Sequence, residues 1–293
     1  MSRSEVGDEA APGAGGRAAP EAGHRAPGPD EPETGPVAPG RPGLPHRVSR
    51  RITWQKLVTV PAFVAAALGA TALYLSTTEL DSIARNSLSG GIVRTTLRQQ
   101  TELVAISTFF VLVIAIPLGV ALTRSSLRRA APPFVAAANI GQATPALGLL
   151  ALLVIWLGIG RRAALIGIVA FAVLPVLSNT VAGLKAIDPA LVDAARGIGM
   201  SPRLVLFRVE LPLAVPLILA GVRTALVLNV GTATLATFGG GGGLGDLISS
   251  GITNQRMPVL VLGSVLTVSM ALIVDWLGML VEVLLRPRGL EVD

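Results

Sequence analysis

From residue 57 onward the apolar residues recur neither at the period of a soluble helix nor at that of a half-buried strand. They run together in blocks of about twenty separated by short polar segments. A helix needs roughly 20 apolar residues to cross about 30 Å of hydrocarbon. Six blocks meet that length: 57–75, 103–123, 132–157, 162–184, 211–237 and 258–285. The pattern therefore predicts an all-α polytopic membrane protein with six transmembrane helices. The third block is the least regular, because Asn139, Gln142, Thr144 and Pro145 fall inside it. Polar or broken backbone at membrane depth is tolerated only against protein or water.

Composition agrees, with 51% hydrophobic and 14% charged residues. Residues 1–52 differ: they are rich in Pro, Gly, Ala, Glu and Arg, nearly devoid of large apolar side chains, and predict a disordered tail. No short apolar core with a small-residue cleavage site precedes the first block, which is therefore expected to be a retained anchor. The expected divisions are a cytoplasmic tail over 1–52, a first transmembrane helix with its extracellular connector over 53–96, a main membrane domain over 97–288 and a short tail over 289–293.

A formal charge of +6, almost all from arginine, suits either nucleic acid or membrane-flanking loops. The arginines flank the apolar blocks, so the loops are favoured and no nucleic-acid partner is expected. Arg124, Arg128 and Arg129, then Lys185, Arg196, Arg203 and Arg208, then Arg286 and Arg288 mark one side as cytoplasmic, with both termini on it. Arg85, Arg94, Arg98, Arg161 and Arg162 fall on the other side as exceptions. Cysteine is absent and both histidines lie in the tail, which removes thiol chemistry and histidine-based metal or acid–base sites from the membrane region. H-E-x-x-H and G-x-S-x-G are absent too, which leaves an intramembrane enzyme without support. No catalytic or metal-ligating residue is expected.

Between the fourth and fifth blocks lies "DPALVDAARGIGMSPRLVLFRVELP", 188–212. Asp188 before Pro189 and Ser201 before Pro202 are N-caps followed by proline at the first helical position. They predict one helix over 189–197, closed by Gly197 or Gly199, and a second from Pro202 towards Pro212. At helical spacing Leu204, Phe207 and Leu211 share a face, with Arg203 and Glu210 turned elsewhere. By its residues alone this segment, within the loop 185–210, fits a solvated amphipathic connector between two spans.

Its spacing resembles the "EAA" motif of binding-protein-dependent ABC transporter permeases, carried here by Asp193, Ala194, Ala195, Gly199, Val209, Leu211 and Pro212. Asp193 replaces the usual Glu and Val209 the usual Ile. "NIGQATPALGLLALLVIWLGIG" (139–160), "LPVLSNTVAGLKAIDPALVDAARGIGM" (174–200), "VELPLAVPLILAGVRTA" (209–225) and "GTATLATFGGGGGLGDLI" (231–248) are similar to the osmoprotectant branch, whose members import glycine betaine, choline or carnitine. The resemblance implies a five-helix permease core, here with one extra N-terminal helix. It implies a coupling loop, with Gly197 part of it, that docks on a separate ATPase using ATP and Mg. It also implies a second, identical or related permease subunit, a solute-binding protein and a bacterial cell membrane. An ABC permease for an amino acid or a sulfonate, or a secondary transporter, are the alternatives.

Arg223 and Asp275 each lie about ten residues inside an apolar block, roughly 15 Å deep at 1.5 Å per residue. Unpaired charge is costly there, so they are expected to face one another or a shared wet cavity, as a structural pair or a gate. Glu282 and Arg286 suit an i, i+4 pair. Asn139, Gln142, Thr144, Pro145, Asn229, Thr232 and Thr234 are the expected polar lining of a pathway, with helix–helix hydrogen bonding the alternative for each. "GGGGGLGD" (239–246) lacks the lysine of a phosphate loop, so no ATP site is expected here. It suggests a flexible re-entrant turn, or a gate or docking surface beneath the binding protein.

Overall fold

The computed structural model describes residues 54–124, 127, 129 and 131–285. The tail 1–52, Arg128, Arg286, Arg288 and the segment 289–293 lie outside the described residues. Helices α1 (Trp54–Thr77), α2 (Ser82–Ser87), α3 (Gly90–Thr123), α4 (Ala131–Ala143), α5 (Ala146–Leu157) and α6 (Arg161–Lys185) lead to a short α7 (Pro189–Gly197). Next come α8 (Pro202–Val205), a π-helical turn (Leu206–Glu210), α9 (Leu211–Leu235), α10 (Leu244–Thr253) and α11 (Met257–Leu285). Among the described residues there is no strand.

Five segments are long and apolar enough to cross a membrane: Leu57–Thr77, Gly90–Thr123, Arg161–Lys185, Pro202–Gly239 and Met257–Leu285. The third expected span is not one rod. It is α4 and α5, bent by 98°. Their 13 and 12 residues reach only about 20 and 18 Å, each short of the membrane core. The cause is local: Pro145 has no N–H to bond Gly141 and forces Thr144 out of the helical region, so the helix ends and restarts. Helix α3 begins at Gly90 and passes unbroken through the expected division at 96/97.

Helix α6 is the core of the bundle, packed against α3 on one side and α9 on the other. Small residues make this approach close. A Cβ added at Gly119 of α3 would sit 2.7 Å from Thr180 Cβ of α6. One at Gly221 of α9 would sit 2.6 Å from Asn179 Cβ. Without a hydrophobic force between helices in lipid, such backbone proximity supplies the packing energy. Val111, Ala115, Ala172, Val176, Val181 and Ala225 fill the centre.

The outer surface is apolar, as a lipid-facing surface requires, with Phe109, Ile140, Ile155 and Trp156 exposed. Helix α1 lies along α11, where Trp276 donates its indole N–H to the Leu57 carbonyl at 3.1 Å. At the end of the bundle remote from α7, α2 and α10 close a small cluster of Ala84, Leu244, Leu247 and Val259. Arg256 pairs there with Asp81 at 2.7 Å. Two of the exceptional arginines, Arg98 and Arg161, share Glu102, each at 2.8 Å, and so join α3 to α6.

Candidate coupling and translocation site

Helix α7 covers the range its caps predict. The Asp188 carboxylate accepts from the Ala190 N–H at 2.9 Å, and Ser201 accepts from the Leu204 N–H at 3.4 Å to start α8. Between them the chain turns through a Schellman motif: the Gly199 N–H bonds the Arg196 carbonyl at 2.9 Å and the Met200 N–H bonds the Ala195 carbonyl at 3.2 Å. Gly199 holds φ +90°, a conformation that an L side chain rarely adopts. Asp193, Ala194 and Gly197 are exposed, and Ala195 is buried. Leu191, Ile198, Leu204 and Phe207 are exposed around them, Ile198 by 77% and Phe207 by 67%. They form an outward apolar set on an otherwise polar loop, available for contact with another surface.

The second expected helix does not end at Pro212. From Pro202 the backbone runs without a break through the π-helical turn into α9, as one segment to Gly239. Pro212 cannot donate to the Arg208 carbonyl, and its ring crowds that oxygen. The wider turn accommodates both, with the Leu211 N–H reaching back to the Leu206 carbonyl. An extra residue in a turn rotates every later side chain of the helix by about 100°. The expected face divides: Leu204 and Phe207 are exposed together, Leu211 is half-buried, and Glu210, turned elsewhere as expected, is buried and paired with Arg124 at the end of α3. Val209, Leu211 and Pro212 are half-buried beside it. Helical periodicity alone conceals this pair; the only sequence sign of the register change is Pro212.

Within the membrane region Arg223 and Asp275 meet. The guanidinium donates from Nε to Oδ1 at 2.5 Å and from Nη2 to Oδ2 at 2.6 Å, a bidentate fork. Glu282 stands 4.0 Å from the same guanidinium; its expected partner, Arg286, lies outside the described residues. Arg223 also borders an apolar cavity of about 360 Å³ between α3, α9 and α11.

The expected lining residues divide. Asn139, Gln142, Thr144 and Pro145 are exposed at the bend between α4 and α5. Asn229 is fully buried and donates to Thr108 Oγ1 at 2.9 Å, tying α9 to α3. Its carbonyl oxygen has no partner. Thr232 bonds back to the Leu228 carbonyl at 2.8 Å. Thr234 accepts from Gln100 Nε2 at 3.1 Å. Asn229 and Thr234 thus join helices instead of facing an open passage.

Gln100 is a residue that sequence reasoning missed. Fully buried, it also donates to the Val230 carbonyl at 3.0 Å and accepts from the Leu244 N–H at 3.2 Å. Gln99 accepts from the Gly243 N–H at 3.2 Å. The glycine-rich turn is therefore anchored and not loose, and a Cβ at Gly245 would collide with the Thr234 carbonyl. Two adjacent glutamines inside a mostly apolar helix were the available signal. Among the described residues no three acidic or histidine side chains converge to hold a metal ion.

Five spans and a bent pair around a central helix, with a capped loop helix presenting apolar residues at one end, define a polytopic membrane permease subunit. The family described as "binding-protein-dependent transport system inner membrane component" matches residues 115–288, and the chain belongs to it. It is 38% identical to the glycine betaine/carnitine/choline transport system permease protein OpuCB of Bacillus subtilis over 180 residues, 61% of this chain and 82% of that one. It is 41% identical to the osmoprotectant import permease protein OsmY of Salmonella typhimurium over 60% of this chain and 76% of the relative. The fold matches inward-facing MetNI methionine ABC transporter with a TM-score of 0.58 at 23% identity, covering 67% of this chain and 96% of that one.

Proposed function

We propose that this chain is the permease of an ATP-driven importer in a bacterial cell membrane, with both termini cytoplasmic, that carries a quaternary-amine osmoprotectant of the glycine betaine, choline or carnitine type. The substrate reading is supported by what the similar permeases are named for. The coupling reading rests on one observation: α7 is closed by Gly199 and surrounded by exposed Leu191, Ile198, Leu204 and Phe207. In this reading Asp193, Ala194, Gly197 and Gly199 form the surface that docks on a separate ATPase, which uses ATP and Mg, and buried Ala195 seats the helix beneath it. Small Ala194 permits close approach. Val209, Leu211 and Pro212 then carry the motion into α9. A solute-binding protein delivers the solute, and a second permease subunit completes the passage.

Asn139, Gln142, Thr144 and Pro145 at the bend, with Thr232 on α9, supply the polar wall of that passage once two subunits face each other, while Asn229 and Thr234 hold α9 to α3 behind it. Arg223 and Asp275 serve as a gate. With only 4% aromatic residues the chain offers few rings to grip a quaternary amine, so tight recognition falls to the binding protein.

The test is uptake of radiolabelled glycine betaine into vesicles holding the chain with its ATPase and binding protein. Uptake should require ATP and vanish in Gly199→Asp while the subunits still reach the membrane. ATP hydrolysis that depends on the loop without betaine uptake would refute the substrate class and keep the permease.

A further inference from the structure

We infer that Arg124 and Glu210 are positioning residues that join α3 to the coupling segment, so that α3 and α9 move as one body during transport. This rests on the reading of α7 as the ATPase-docking helix.

Glu210 is the last residue of the π-helical turn, and its side chain is only 11% exposed. Its ion-pair partner is Arg124, 86 residues away in sequence, whose Nη2 donates to Glu210 Oε2. Arg124 is itself braced: Nη2 donates to Thr123 Oγ1 at 3.2 Å and Nε to the Val120 carbonyl at 3.4 Å. The pair lies over an apolar cluster in which Ile116 and Val120 of α3 meet Leu184 of α6 and Leu211, Ala214 and Ile218 of α9.

Packing alone does not call for charges here. Replacing a desolvated ion pair by apolar residues of similar volume is often neutral or stabilising, whereas a charge pair fixes register. Register is what this joint leaves open, because the π-helical turn interrupts the i→i−4 ladder between α8 and α9, with the Leu211 N–H reaching back five residues to the Leu206 carbonyl. Motion of α7 reaches α9 through the continuous backbone from Pro202. It has no such covalent route to α3. The ion pair supplies a non-covalent link at this end, and Gln100, bonded to Val230 and Leu244, ties the same two helices at the other. The helix that holds the glycine-rich turn is thereby fixed at both ends to the helix that leaves the coupling loop.

The complete complex, reconstituted with its ATPase and binding protein, separates this role from simple stability. Glu210→Gln and Arg124→Gln should each lower the glycine betaine carried per ATP hydrolysed by roughly tenfold, with the ATPase still bound and hydrolysing. Arg124→Lys, which keeps the charge, should recover most of that ratio. Because the chain has no cysteine, spin labels placed through Leu127→Cys and Arg208→Cys report on the joint alone. Their separation should be the same with and without ATP in the otherwise native protein and should spread in Glu210→Gln. An unchanged transport ratio in both glutamine variants would overturn the inference. So would a proportional loss of uptake and hydrolysis, or a label separation that changes with ATP in the native background; the last measurement decides even if Glu210→Gln does not assemble. Failure of the native complex to take up solute with ATP would instead overturn the importer reading.

Discussion

Arg223 of α9 and Asp275 of α11 are joined by two parallel hydrogen bonds of 2.5 and 2.6 Å inside the membrane region. Both side chains are about one-third exposed, and Glu282 lies near enough to share the positive charge. Asp275→Asn should therefore lose less than removal of a fully buried partner, about 1–3 kcal/mol, because Glu282 remains. Thermal unfolding in detergent measures the loss. If the pair opens during transport, the exchange Arg223→Asp with Asp275→Arg should restore stability without restoring the uptake rate. Full recovery of both would assign the pair a structural role.

Gln100 offers a second test. Gln100→Leu removes its bonds to Val230, Thr234 and Leu244 and leaves the buried Leu244 N–H without a side-chain acceptor, at a cost of about 1–3 kcal/mol. Amide exchange at residues 243–246 should accelerate before that of α6 does. Equal protection in both proteins would show that the turn holds itself.

Close packing on α6 sets the third. Gly221→Val would drive a branched side chain into Asn179 and the Pro175 carbonyl, so destabilisation at or above the usual overpacking range of about 1–3 kcal/mol is expected. Gly231 has no neighbour within 4 Å of an added Cβ, and Gly231→Ala should be neutral or slightly stabilising. A melting comparison of the two variants decides.

The bend between α4 and α5 is the fourth. Pro145→Ala restores the missing donor and relaxes Thr144. Spin labels at Phe134→Cys and Trp156→Cys, two exposed positions, should move apart on average as the helix straightens. An unchanged separation would mean that packing on α6, not proline, holds the angle.

The parts of the fold legible in the sequence are those set by local chemistry. Continuous apolar runs place the spans, and Asp188–Pro189, Ser201–Pro202 and Gly199 place α7 and its stop, because caps and positive φ are properties of a few adjacent residues. The meeting of Arg223 and Asp275 is legible from the cost of lone charges at equal depth. The place of Glu210 is not, since a single π-helical turn shifts every later side chain and no periodicity records it. Gln99 and Gln100 escape notice because their partners, 130 to 144 residues away, are set by the folded bundle and not by spacing. Asn229 carries the right chemistry for either role, and only its complete burial separates them.

The unbroken segment from Pro202 to Gly239 contains 38 residues, about 57 Å at 1.5 Å each. It starts at the loop and ends where the glycine-rich turn begins. Gly221, where an added Cβ would sit 2.6 Å from Asn179 Cβ of α6, falls near its middle and offers a fulcrum. With arms of about 28 Å on either side, a tilt of only about 5° swings each end through roughly 2.5 Å. The two ends swing in opposite directions, so with α7 docked as proposed a push on it arrives at the glycine-rich turn nearly undiminished and reversed in sense. A rocker of this kind closes one mouth of a passage by the same stroke that opens the other.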